Sequence, residues 1–152
     1  MVNRQAGGRA VDILYKGVVV LKIETLDLHG LNQSEAKAKI DQNLAWIIRH
    51  GIDVLVISHG KGHHSSTNFA VLKAETRKLL KANRDLEEAG YLVVYGEADL
   101  PIALRYDEGN TLVVARGREQ EYMGGSIQQE KDRRIFSEDG RRERKNSKRM
   151  RK

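Results

Sequence analysis

A chain of 152 residues, 39% apolar and 32% charged, suits one domain with attached segments and is too short for two full domains. It holds no cysteine, which excludes a disulfide frame and a thiolate metal site, and no apolar run approaches the roughly 18 residues of a membrane span. The N-terminal Met-Val-Asn-Arg-Gln-Ala-Gly-Gly lacks the apolar core of a secretory signal, so the sequence reads as a soluble, cytoplasmic protein with no membrane partner. The net charge of +6 is unevenly placed: residues 116–152 carry 13 Lys/Arg against 7 Asp/Glu, while the first 115 carry 14 of each. The basic excess belongs to the end of the chain.

Residues 1–24 read as an N-terminal extension. Its two apolar, β-branched runs, Ala10 to Tyr15 and Val18 to Glu24, are separated by Lys16-Gly17 and could form a hairpin. Alternation flips at Thr25, so that Leu26 and Leu28 share a face and end the first strand of the domain. Asn32 and Glu35 have the spacing of a capping box. Ala36, Ile40, Leu44, Ile47 and Ile48 then recur at helical spacing until Gly51 supplies a stop. Trp46 lies off that stripe, and is either half exposed or covered by the extension. Ile52 to Ser58 is a nearly continuous apolar run, as in a central strand covered on both faces. Two strands joined by a helix of this length make a right-handed βαβ unit. After a glycine–lysine loop and the polar segment His63 to Asn68, Phe69, Leu72, Thr76, Leu79 and Leu80 mark a second helix. It continues or restarts through Asp85 to Glu88 and stops at Gly90. Tyr91 to Tyr95 is a third strand, Glu97 to Asn110 a polar loop, and Thr111 to Ala115 the last strand. Residues 118–152 show no sustained periodicity and read as a basic, disordered or transiently helical tail.

Two corners stand out. In Leu26-Asp27-Leu28-His29-Gly30, Asp27 and His29 point the same way at a strand's end. They could merely cap a turn and fill a wet edge. As a pair, the carboxylate fixes the imidazole tautomer and raises its basicity, and a histidine that titrates near neutrality can move a proton. In His59-Gly60-Lys61-Gly62, two glycines let backbone N–H groups approach a phosphate, while Lys61 and the following helix add positive charge. The plainer alternative is an ordinary glycine turn. It is not a Walker loop, because Gly62 stands where that motif needs Ser or Thr. His63 and His64 follow, but adjacent histidines on a polar loop rarely share an ion, and no metal site is assigned. Both corners leave carboxyl ends of parallel strands, where open α/β sheets place ligands. In the tail, Arg141 to Lys152 holds eight basic residues and one acidic one. Arg141, Arg142, Arg144 and Lys145 are candidates for sequence-blind attraction to a polyanion.

The two motifs, in this order and spacing, resemble the Smr (small MutS-related) domain over about residues 25–117. The resemblance implies a two-layer α/β sandwich of β-α-β-α-β-β order, with a four-stranded mixed sheet and two helices. It also implies nicking of DNA or endonucleolytic cleavage of RNA, including RNA on ribosomes. Asp27-Leu28-His29 looks like the family's main functional element and Gly60-Lys61-Gly62 like its Gly-x-Gly loop. Two departures stand out: the longer His63 to Asn68 segment, and Leu72-Lys73 where many members have Leu-Arg. Lysine lacks arginine's bidentate grip on phosphate. No MutS-like ATPase segment is present, so the chain reads as a standalone member.

The leading expectation is an endonuclease acting on RNA or DNA. Asp27 and His29 are its acid–base pair, and His59 supplies a second proton or a phosphate hydrogen bond. Gly60, Lys61, Gly62 and Lys73 hold the phosphate. Attack by an RNA 2′-hydroxyl needs no metal, whereas attack by water on DNA favours Mg or Mn on Asp27. The alternatives are a non-catalytic nucleic-acid or ribosome binding module with a basic tether, and a scaffold whose tail recruits an acidic protein.

Overall fold

The computed structural model describes residues 14–15, 18–61 and 67–150. Among the described residues, six strands and five α-helices follow in order: β1 (Leu14–Tyr15), β2 (Val18–Val19), β3 (Ile23–Asp27), α1 (Gln33–His50), β4 (Val54–Ser58), α2 (Thr67–Ala82), α3 (Arg84–Glu88), β5 (Tyr91–Tyr95), β6 (Asn110–Ala115), α4 (Ser126–Ile135) and α5 (Glu138–Met150). The short pair β1–β2 is antiparallel, Leu14 opposite Val19. The second apolar run therefore divides between this hairpin and β3 instead of forming one strand.

The main sheet has the order β3-β4-β6-β5. β3 and β4 are parallel, with Asp27 opposite Ser58, and β6 runs antiparallel to both β4 and β5. This is the mixed four-stranded α/β sheet the resemblance implies. α1 starts where expected: the Asn32 side chain accepts from the Glu35 N–H at 2.8 Å, and the Glu35 carboxylate accepts from the Asn32 N–H at 3.0 Å. Its buried stripe is Ala36, Ile40, Leu44 and Ile47, and Gly51 closes it in the left-handed region. Trp46 is 48% exposed and stacks on His50, the centroids 3.7 Å apart.

Alternation along β4 sends its side chains into two cores. Leu55 and Ile57 pack with Leu26, Leu28, Ile40, Leu72, Leu80 and Leu86 beneath the helices. Val54 and Val56 pack on the opposite face with Ile102, Leu112 and Met123. The loop between β5 and β6, expected as polar, thus carries a buried 3₁₀ turn, Pro101–Ala103, that covers this second face.

The tail, read as disordered or transiently helical over residues 118–152, carries two helices, α4 and α5, among its described residues. Met123 and Phe136 are buried, and Asp132, also buried, pairs with Arg105 and accepts from Gln128 at 2.8 Å. Met123 packs with Val54 and Val56, and Asp132 pairs with Arg105, all far back in the chain, so no local periodicity announces these two. α5 is held more lightly: Arg144 donates to Asp99 at 3.0 Å, and Arg141 and Arg144 lie over the Phe136 ring at 4.1 and 5.1 Å.

Candidate functional site

The parallel register of β3 and β4 decides where the two motifs sit. Leu28 N–H donates to the Ser58 carbonyl at 2.9 Å, one step beyond the last ladder pair. The chain then leaves β3 at His29 and β4 at His59, so the two corners depart from neighbouring strands, about 4.8 Å apart, on one rim of the sheet.

At the first corner, the Asp27 Oδ1 atom accepts the His29 backbone N–H at 2.9 Å and lies 2.5 Å from His29 Nδ1. A carboxylate in the hydrogen-bonded pair fixes the proton on Nδ1 and makes Nε2 the basic nitrogen. The His29 backbone N–H, then its side chain, hold the Asp27 carboxyl below the usual carboxylate range. The side chains are 71% and 50% exposed, so a substrate can reach them. Leu26 and Leu28, buried beneath, fix the direction in which the polar pair points.

The second corner is built differently. His59 is 0% exposed. Its Nδ1 lies 2.8 Å from the Gly60 carbonyl and its Nε2 lies 2.7 Å from the Thr111 hydroxyl. A carbonyl only accepts, so Nδ1 carries the proton, and the Thr111 O–H donates to Nε2. The same hydroxyl oxygen accepts from Arg77 Nε at 2.9 Å. Burial lowers the His59 pKa, against the hydrogen bond to Gly60, and Arg77 pushes in the same direction as burial. The ring is thus a neutral strut between the loop, β6 and α2. Both ring nitrogens, expected to supply a second proton or a phosphate hydrogen bond, are engaged within the protein.

The loop itself is pinned from the β5–β6 side. The N–H groups of His59 and Gly60 both donate to the Gly109 carbonyl at 3.1 Å. Gly60 has φ +92°, a conformation other residues adopt only under strain. Lys61 Nζ lies 3.1 Å from Asp107 Oδ2, and Lys73 Nζ 3.7 Å from Glu108. The Gly109 N–H, more than Lys61, keeps the Asp107 carboxyl below the usual range. The two lysines expected to hold phosphate therefore each face an acid, in partly exposed pairs of small net worth. Gly62, His63 and His64 lie outside the described residues.

Sequence reasoning passed over Arg77. It is buried, makes a bidentate pair with Glu97 at 2.7 and 3.0 Å, and also donates to the Asn110 carbonyl at 3.1 Å. Its guanidinium lies 3.9 Å from the Tyr95 ring centroid. The signal was present in the sequence: Lys73, Arg77 and Lys81 recur every four residues, a basic stripe beside the apolar one. Of the tail candidates, Arg144 is bound to Asp99 and Arg141 lies over Phe136, while Arg142 stands 4.0 Å from Asp139 and Lys145 is exposed. None is brought to the rim by a contact among the described residues.

No group of three or more His, Cys, Asp or Glu among the described residues is placed to hold a metal ion, and no helix among them is long and apolar enough to cross a membrane. The family model of the Smr domain matches residues 26–91, from β3 to the start of β5. That family is generally associated with nucleic-acid binding and nuclease activity, and some members are endonucleases. No curated protein and no solved structure matches the chain significantly.

Proposed function

Residues 26–91 carry a Smr domain, and from that premise we propose that the chain is an endonuclease that cleaves RNA at the rim formed by the ends of β3 and β4. The observation that supports it best is the Asp27–His29 pair, exposed and hydrogen-bonded at 2.5 Å. Asp27 holds the proton on Nδ1, and Nε2 of His29 takes the proton from a ribose 2′-hydroxyl. The 2′-oxygen attacks the adjacent phosphorus and the bond to the 5′-oxygen breaks. The leaving oxygen takes up a proton, giving a 2′,3′-cyclic phosphate and a 5′-hydroxyl. Lys61 neutralises charge on the phosphate, after it exchanges Asp107 for it. His59 takes no proton; it sets the loop's height above the sheet.

End-labelled single-stranded RNA, structured RNA and duplex DNA, each with and without chelator, test this directly. RNA is expected to be cut in chelator, with cyclic-phosphate ends, and His29→Ala and Asp27→Ala are expected to bind but not cut. Cleavage of DNA alone, only with Mg or Mn, would replace the 2′-hydroxyl step by water attack. Binding without any cleavage would leave a nucleic-acid or ribosome binding module.

A further inference from the structure

The rim extends past the two corners. β5 is antiparallel to β6, as β4 is, so its carboxyl end at Tyr95 lies on the same side of the sheet as Asp27 and Ser58. Three strand spacings, on the order of 15 Å, separate Asp27 from Tyr95. Between α2 and the end of β5 opens a groove of about 600 Å³, lined by Lys61, Lys73, Arg77, Lys78, Lys81 and Tyr95.

Five cations and one aromatic ring share this groove, and its construction is specific. Residues four apart on a helix share a face, so Lys73, Arg77 and Lys81 form one line, with Lys78 beside it. Arg77 is fixed by Glu97 and Thr111, and its guanidinium lies over the Tyr95 ring. Lys81 Nζ lies 4.7 Å from the same ring centroid. Lys78 and Lys81 are exposed, and neither has an ion pair among the described residues. These two are the cations of the groove whose charge is not already met by a carboxylate.

We propose that this groove is the track of a single-stranded RNA, with backbone phosphates on Lys73, Lys78 and Lys81, a nucleotide against the Tyr95–Arg77 corner, and the strand continuing past Lys61 to His29. Positive grooves with an aromatic residue suit unpaired strands, because a stacked duplex offers mainly phosphates. In-line attack by a 2′-hydroxyl also needs a sugar free to turn, which a single strand allows and an A-form duplex hinders. The assignment to RNA rests on the cleavage reading above, whereas the track itself rests on the groove.

The test measures binding by fluorescence anisotropy across a salt series, with the full chain and labelled single-stranded RNA, single-stranded DNA, duplex RNA and an oligo-glutamate peptide. The variants are Lys78→Ala/Lys81→Ala, its charge-reversed form Lys78→Glu/Lys81→Glu, and Tyr95→Leu. The alanine pair is expected to weaken single-stranded RNA binding about tenfold and to flatten the salt slope by about 1.4, since each lost phosphate contact removes about 0.7. Tyr95→Leu is expected to lose about fivefold or more. Circular dichroism confirms that each variant is folded, and the alanine pair touches only exposed side chains. Unchanged RNA affinity in the folded lysine variants would overturn the track, as would equal losses on duplex RNA or preferred binding of the acidic peptide. Equal affinity for single-stranded DNA would overturn its assignment to RNA. The two proposals fail separately: RNA cleavage indifferent to Lys78 and Lys81 retires the track alone, and groove-dependent RNA binding without cleavage retires the nuclease alone.

Discussion

Two histidines end neighbouring parallel strands of this sheet, and their surroundings divide them. His29 stands half exposed, beside a carboxylate that fixes its tautomer. His59 is enclosed, with both ring nitrogens engaged and a guanidinium acting on it through a shared hydroxyl. The two stand one step apart in the parallel register, His59 level with the buried Leu28 and His29 level with Gly60, so strand alternation turns one ring outward beside a carboxylate and the other inward. Dielectric environment and hydrogen-bond partners then suit one to proton transfer and make the other a neutral spacer.

The largest effect that tests this contrast is on chemistry. His29→Ala is expected to cut RNA cleavage by about 10²–10⁴-fold, with folding stability changed by no more than about 0.5 kcal/mol because the side chain lies at the surface. A loss of stability as large as that of His59→Ala would abolish the distinction. His59→Ala is expected to behave in the opposite way. It leaves the buried Thr111 O–H without its acceptor, which costs about 1–3 kcal/mol in a denaturant titration. Cleavage per folded molecule should fall far less than in His29→Ala.

Acid sharpens the same comparison. The folded His59 pKa is lowered chiefly by burial, while the unfolded chain takes a proton near the ordinary value of about 6.5. The unfolded state therefore binds more protons in the window between the two, and stability falls as pH drops through it. The contribution is fully present above about pH 6.5. Melting temperatures from pH 8 to pH 5 should show a steeper acid-side decline in wild type than in His59→Gln, relative to each protein's own value at pH 8. Parallel curves would contradict the neutral, buried assignment.

A smaller effect concerns the C-terminal region. Removing residues after Ser137 deletes α5, and with it the Arg141 and Arg144 side chains over Phe136, but keeps Met123 in the second core and Asp132 on Arg105. The melting point should move by only a few degrees, and the salt dependence of RNA binding should weaken. A cut after Gly117 would instead strip part of the second core and expose Ile102 and Leu112, so it tests stability and not the tail.

Much of the frame was legible because it is local. The Asn32–Glu35 cap, the Gly51 stop, the apolar stripe of α1 and the run of β4 each depend on a few neighbouring residues. The Asp27–His29 pair was legible for the same reason: strand alternation alone puts both side chains on one side. What escaped depends on long-range partners. Burial of His59 needs Thr111, 52 positions away. The pairing of Lys61 with Asp107 and of Lys73 with Glu108 needs the β5–β6 connection to fold back over the rim. Gly96 marks that closure, since a Cβ there would stand 2.0 Å from the Asp107 carbonyl oxygen. The order of α4 likewise hangs on Arg105 and Asp132, a charge pair that composition reads as solvated.

Cleavage of single-stranded RNA, normalised to the folded fraction, should be measured side by side for wild type, His29→Ala and His59→Gln. The account predicts that His29→Ala falls to background while His59→Gln keeps at least about a tenth of the wild-type rate, as expected when a positioning contact and not the proton carrier is altered. Equal losses in both, or the larger loss in His59→Gln, would contradict it.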